Sequence, residues 1–471
     1  MGRDATIADP AIDLADAILA TAPGGVIRVR PGSYELPALS LDKAIQLIGD
    51  GPRQEIIVHL SQPLHVAHGD VLLRGITLIG RNPTPREPSP ANCAVYISHG
   101  SPRIEDCDLA SETGSCIGIE GANTSPRLQD CRIHDAADSG VLISQSATPL
   151  IDRCEISGCK GLGLLAVEEA APMLRDCRIH DGQGNGLVFR RRAKGSVRNC
   201  QIFAHELSNV VVQGEADPAF HSCIIRDGRQ GGIFALERAK GAFEQCEIRG
   251  HAGTGVEISD SSTSLTQCKV HGGLSHGVLI VRGSECWLDR CEIFANKFVN
   301  LGVLQNSEAT LNECIVRDGA SNGVTVKDAA VAVFRSCVVS GNAQANLAVA
   351  GRGRATLRKC RIAGGQGAGV QCESGAGVSL YECDIAGHAL PNIAATRQAK
   401  VVVCDSRIHK GKQSGVLASM GGSVRIERSK IAGNARFGVE AIGDGLIETI
   451  DCEFAENQSG DRAPPGDRHS R

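Results

Sequence analysis

Four dipeptides carry groups that could do chemistry: His134-Asp135, His180-Asp181, Arg226-Asp227 and Arg317-Asp318. An imidazole or guanidinium beside a carboxylate can serve general acid–base catalysis, and His with Asp can hold a metal. Glycoside hydrolysis would need two carboxyls roughly 5–9 Å apart on one face. Calcium-assisted chemistry would need several acidic oxygens converging on one point. The pattern supplies neither. Each Asp ends a short strand just before a turn, where Asp is a common turn former. The two histidines fall two repeats apart, about 10 Å, too far to share a metal.

A second polar series, Asp108, Arg132, Glu155 and Arg178, with Arg361, Asp384, Arg407, Lys430 and Glu453 further on, mixes the two signs of charge. Opposite charges on neighbouring strands give a solvated face laced with ion pairs. Arg190, Arg191 and Arg192, with Lys194, form the densest basic cluster and a candidate anion site; the plainer reading is a solvated corner. No catalytic residue, metal site or cofactor is called for, so the expectation leans away from an enzyme.

What positions these residues is a repeat. Of the 20 cysteines, fourteen from Cys107 to Cys452 share one register, spaced 22 to 24 residues apart, with Ser406 and Ser429 at the two vacant rungs. This is not the close CxxC pairing of a zinc site; it reads as small apolar thiols stacked turn upon turn, reduced as in the cytoplasm. Two residues after the ladder position comes an aliphatic residue, as in Ile133, Ile156 and Ile179. Nine after it stands Gly or Asn, for example Gly140, Gly163, Gly186 and Asn209, which suggests a left-handed corner. Aliphatic residues follow, and a third apolar position precedes the next cysteine, as at Leu128 and Ile151. Three short strands per turn predict an all-β, single-stranded right-handed parallel β-helix of 16 or more coils.

The boundaries follow. Residues 1–25 are expected to cap the solenoid with a helix, Asp9 as N-cap, Pro10 at its first position and Ile12, Leu14, Ala15, Ile18 and Leu19 on its apolar face. Residues 26–457 form the β-helix, regular from about residue 93, and the polar residues 458–471 are expected to be a disordered tail. The capping helix, GGVIRVRPGSYEL and LIGDGP resemble the start of the non-enzymatic branch of the pectin-lyase-like superfamily. Within it the likeness is to right-handed β-helix repeat proteins, including the CASH-type and periplasmic NosD-like groups and the β-helix of certain F-box proteins. It covers about residues 9–457 and implies the fold; the scaffold carries lyases, hydrolases, epimerases and plain binding modules alike.

One face departs from the expected polarity. The outward position between two inward ones reads Leu142, Leu165, Val188, Val211 and Phe234, then Glu257, then Leu279, and the next outward position adds Val167 and Leu236. Exposed apolar patches of this kind mark interaction surfaces, so the expectation is a protein partner or homo-oligomer. Aromatics are 3% of the chain, with Trp287, Tyr34, Tyr96 and Tyr381 far apart, which leaves carbohydrate binding or turnover as the alternative. A net charge of −4 argues against nucleic acid. The start lacks a signal-peptide pattern and no run is long enough to span a bilayer, so the expected compartment is the cytoplasm, with no membrane contact.

Overall fold

The computed structural model describes residues 6–8, 13–81 and 92–463. Among the described residues 58 strands wind about 19 turns, paired in parallel, with a single α-helix. Two compact units divide the chain: residues 1–233 with 237–242, and residues 234–236 with 243–471.

In the first unit each turn contributes to three sheets. Sheet 1 follows the ladder cysteine, as in Arg132–His134 and Glu155–Ser157. Sheet 2 follows the next corner, as in Val141–Ser144 and Leu164–Ala166. Sheet 3 precedes the next cysteine, as in Arg127–Gln129 and Leu150–Asp152. The inward residues are those the repeat marks: Ile133, Ile156 and Ile179 are fully buried, as are Val141, Ile143, Leu128 and Ile151. The second unit has the same three sheets, for example Glu292–Phe294, Leu301–Val303 and Glu308–Asn312.

The ladder thiols do more than fill space. Cys177 Sγ donates to the Arg175 carbonyl at 3.2 Å, and its backbone N–H donates to Cys200 Sγ at 3.4 Å. Ser406 takes the same role, its hydroxyl accepting from Cys383 N at 2.9 Å and donating to the Cys404 carbonyl at 2.7 Å. A small side chain that both donates and accepts is what this corner uses, so Cys and Ser interchange there. All 20 cysteines are free, and all but Cys452 are buried. Burial pushes the Cys93 thiol up to about 12 and Cys159 up to about 11, and raises Cys107, Cys116 and Cys286 as well. A reagent must reach the sulfur as well as find it ionised, so an aromatic disulfide reagent should label at most Cys452 quickly in the native protein, and all 20 thiols after denaturation. Rapid native labelling of several thiols would contradict this packing.

The ninth-residue glycines are not left-handed. The positive φ residues lie elsewhere: just before the ladder cysteine (Asp130 at 55°, Arg153 at 52°, Asp176 at 54°), four after it (Asp135 at 52°, Asp181 at 54°) and at the corner after sheet 2 (Gln145 at 51°, Glu168 at 54°, Arg191 at 53°). Glycine stands at the ninth position for lack of room: a Cβ on Gly140 would lie 2.6 Å from the Gly163 carbonyl oxygen, and one on Gly186 2.5 Å from that of Asn209. The next coil's backbone occupies the site.

Asparagine at that position belongs to a buried polar ladder, developed most in the second unit. Coils with Asn or His five residues after the ladder position (Asn296, Asn342, His388, Asn434) alternate with coils carrying Gly there (Gly319, Gly365, Gly411). The amides reach across each glycine coil: Asn300 Nδ2 donates to Asn342 Oδ1 at 3.1 Å, and Asn392 Nδ2 to Asn434 Oδ1 at 3.0 Å. Asn346 Nδ2 meets His388 Nε2 at 2.9 Å in the same way. The unit of packing here is a pair of coils.

The helix is Leu14–Ala20, and its N-cap is Asp13, whose carboxylate accepts from Ala15 N at 2.8 Å. Asp9, Pro10 and Ile12 lie outside the described residues. Leu14, Ala15, Ala17 and Ile18 are buried, whereas Leu19 points to solvent. A strand precedes the helix, Thr6–Ala8, pairing with Gly25–Val29. At the other end Gly460–Arg462 pairs with the strand Phe437–Ile442, so the winding runs beyond residue 457; residues 464–471 lie outside the described part. No described helix is long and apolar enough to cross a membrane.

Candidate functional site

The apolar row and the arginine cluster meet in the first unit. Parallel register sets Leu142 beside Leu165, Leu165 beside Val188 and Val188 beside Val211 on the outer face of sheet 2. Leu165, Val188 and Val211 are only 5–7% exposed, as is Val167, while Leu142 is half-buried. Flanking side chains enclose Leu142, Leu165 and Val167 as the floor of a cleft of about 410 Å³, walled by Asp138, Gln145, Glu168, Arg190 and Arg191. A concave apolar floor with a few polar groups is the usual make-up of a binding site.

Three adjacent arginines behave differently here. Arg191 pairs with Glu168 at 3.2 Å and Arg192 with Glu169 at 2.8 Å, continuing a corner ladder that includes Arg238 and Glu215 at 2.7 Å. Arg190 makes no ion pair within the unit, and its Nε is buried without a hydrogen-bond partner. Ser144, also on the cleft and 2% exposed, has an unpartnered hydroxyl. Polar groups left so cost about 1–3 kcal/mol each unless something supplies the bond.

In the second unit Phe234, Leu236 and Leu279 are half-buried. Leu279 lies beside Glu257, whose carboxyl burial pushes up, and its side chain fills the space that Gly302 leaves open.

The charged face of sheet 1 is tied within itself. His134 Nδ1 meets Asp135 at 2.8 Å and its Nε2 meets Asp108; Arg132 reaches Asp108 at 3.3 Å and Glu155 at 3.5 Å. The hydrogen bond to Asp108 is the main cause that holds the His134 imidazole above its ordinary range, against the opposing effect of its partial burial. His180 bonds Glu155 at 3.0 Å and Asp181 at 2.7 Å. Phe203 is closed on both faces, by His180 stacked at 4.6 Å and by the Arg226 guanidinium at 4.0 Å. The second unit repeats the arrangement with His271, Phe294 and Arg317, at 4.5 and 4.4 Å. A sandwiched phenyl ring offers no platform for a sugar.

The other aromatics are dispersed. Tyr34 is buried, its hydroxyl donating to the Arg30 carbonyl at 2.8 Å; Tyr96 bonds Glu120 at 3.1 Å, and Tyr381 lies under Arg358 at 4.6 Å. Trp287 is 50% exposed on sheet 3 of the second unit. Among the described residues no three His, Cys, Asp or Glu side chains converge as a metal set. The sequence contained a signal for the cleft, since its apolar row and arginine cluster occupy consecutive repeats. Which arginine lacks a partner was not legible, because that depends on which glutamate stacks on which rung.

Three overlapping matches to the right-handed β-helix region family, over residues 87–209, 208–354 and 300–459, show that the chain belongs to that family. The winding and the three parallel sheets are those of a right-handed parallel β-helix. Comparison with curated proteins found no match. Among solved structures, pectate lyase Pel9A is similar at 11% identity, covering 57% of this chain and 71% of its own, with a TM-score of 0.41. A mutant of the periplasmic alginate epimerase AlgG is 11% identical over 68% of this chain and 80% of its own, TM-score 0.40. The PL6 family alginate lyase AlyGC is 8% identical over 98% of this chain and 100% of its own, TM-score 0.36.

Proposed function

We propose that this protein is a non-catalytic β-helix scaffold that binds protein, a second copy of itself included, through the outer face of sheet 2 in its first unit. The observation that carries this reading is the apolar-floored cleft over Leu142, Leu165 and Val167, on an outward face where sheet 1 carries charge. Apolar surface held concave and rigid is suited to taking up a partner's side chains. The thiol-filled interior supports a cytoplasmic setting, where thiols stay reduced.

Light scattering over a concentration series, with and without Leu142→Asp, tests it. Wild type should rise above the 49.3 kDa of one chain and the variant should not. A wild-type mass fixed at one chain removes self-association, and release of unsaturated oligouronides from pectate or alginate would overturn the non-catalytic reading altogether. A second reading, a polysaccharide-active enzyme or carbohydrate-binding module, is favoured by one observation, the imidazole of His134 held between Asp108 and Asp135. Its mark would be activity lost in His134→Gln.

A further inference from the structure

We infer that the cleft receives the C-terminal residues of a partner chain, with an apolar side chain on the floor of Leu142, Leu165 and Val167 and the free carboxylate on Arg190. This rests on the interaction reading of the same face and adds the chemistry of the occupant.

The backbone places the recognising groups in one column. Val167 N–H bonds the Ile143 carbonyl at 2.9 Å and Arg190 N–H bonds that of Ala166 at 3.0 Å. Parallel register therefore extends one residue past the strands, and Ser144, Val167 and Arg190 stack on successive coils. Arg190 and Ser144, the two residues of this column with buried unpartnered polar atoms, are thus two coils or about 10 Å apart, with an apolar residue between them. Three residues of extended chain span about that distance. A peptide end laid along the column would put its carboxylate at the guanidinium, where charge-assisted bonds are strongest, and a backbone group at the Ser144 hydroxyl.

Charge selects the same occupant. Arg191 and Arg192 are neutralised by Glu168 and Glu169, so the uncompensated positive group facing the cleft is Arg190. Asp138, the other wall carboxylate, is engaged by the hydroxyls of Ser115 and Ser139, each at 3.4 Å. A C-terminal residue carries a carboxylate and an apolar side chain on one Cα, matching an arginine beside a leucine floor. A glutamate side chain would bring the charge in place of the apolar group.

The test uses the full chain and two probes, N-acetyl-Ala-Val-Leu as the free acid and as its amide, titrated by ligand-observed NMR. The free acid should bind at least about tenfold more tightly than the amide, and Arg190→Gln should level the two. Leu142→Asp should weaken both. Native thiol protection reports that each variant is folded. Equal binding of acid and amide, binding unaffected by Arg190→Gln, or no binding of either probe would overturn the inference. Octanoate binding through Arg190 without peptide binding would overturn it too, in favour of a small free acid. If the probes fail while Leu142→Asp still abolishes self-association, only the occupant is wrong and the scaffold reading stands.

Discussion

Replacing Asn342 by Leu should cost about 3–5 kcal/mol, read as a lower urea midpoint for the second unit, although the two side chains are nearly the same size. Asn342 is completely buried, and every polar atom of its amide is engaged. Its Oδ1 accepts from Gly319 N at 2.9 Å and Asn300 Nδ2 at 3.1 Å, while its Nδ2 donates to the Ser340 carbonyl at 3.1 Å and Asn346 Oδ1 at 2.8 Å. Leucine would leave the Gly319 N–H without its acceptor and strip bonds from two amides that have no access to water. Asn342→His should recover the bonds to the two amides but not the Gly319 acceptor, because His388 fills the equivalent place two coils on and bonds Asn392 Oδ1 at 2.7 Å and Asn346 Nδ2 at 2.9 Å. Enlarging the glycine between the amides attacks the same ladder from the other side. A Cβ on Gly323 would sit 2.4 Å from Asn342 Nδ2 and 2.7 Å from the Asn346 carbonyl oxygen. If Asn342→Leu unfolds at the wild-type midpoint, the buried amides contribute nothing, and their alternation with glycine needs another cause.

That alternation marks where the sequence was legible and where it was not. Cysteine, aliphatic and third apolar positions repeat at one period, so the three inward rows followed directly. The ninth position was read as a left-handed corner because Gly and Asn both tolerate positive φ. The position selects them for separate reasons: Gly163 leaves room for the next coil's backbone, and Asn346 supplies hydrogen bonds. Pattern alone does not separate the two causes, since each selects the same pair of residues. The two-coil period of Asn or His against Gly lies in the fifth position, at Asn296, Gly319, Asn342 and Gly365. Nor does a repeat reveal that Asp130 or Arg153 sits at positive φ, because left-handed Asp, Arg and Ser leave no compositional trace. The site divided along the same line: the apolar row was visible, whereas its partial burial depends on corner side chains stacked above it.

Acid should weaken the first unit between about pH 6.5 and pH 4, and His205→Asn should abolish much of that loss. His205 is fully buried, and burial is the main cause that brings its imidazole down to about 4. Its bond to the Ile179 carbonyl opposes the shift, and His180 and Asp181 are the nearest titratable groups. The hydrogen bonds point the same way: Nδ1 accepts from Gly182 N at 3.2 Å and Nε2 lies 3.2 Å from the Ile179 carbonyl oxygen, a pattern that only the neutral Nε2–H tautomer satisfies. With the folded value below the unfolded one of about 6.5, the stabilisation is complete above pH 6.5 and disappears as pH falls through the folded value. The difference corresponds to about 3 kcal/mol. His134 has the opposite sign, since its raised value adds stability below pH 6.5 that is lost as pH rises. The lowered carboxylates Asp130 and Asp152 lose theirs only below the ordinary carboxylate range. Asparagine is the apt replacement because the protein already uses it: Asn296 accepts from Gly273 N at 3.0 Å and donates to the Val270 carbonyl at 3.4 Å, the same two bonds without a titrating ring. Urea midpoints at pH 7 and pH 4.5 should therefore converge in His205→Asn and diverge in wild type. A variant that loses as much stability in acid as wild type would place the titrating group elsewhere.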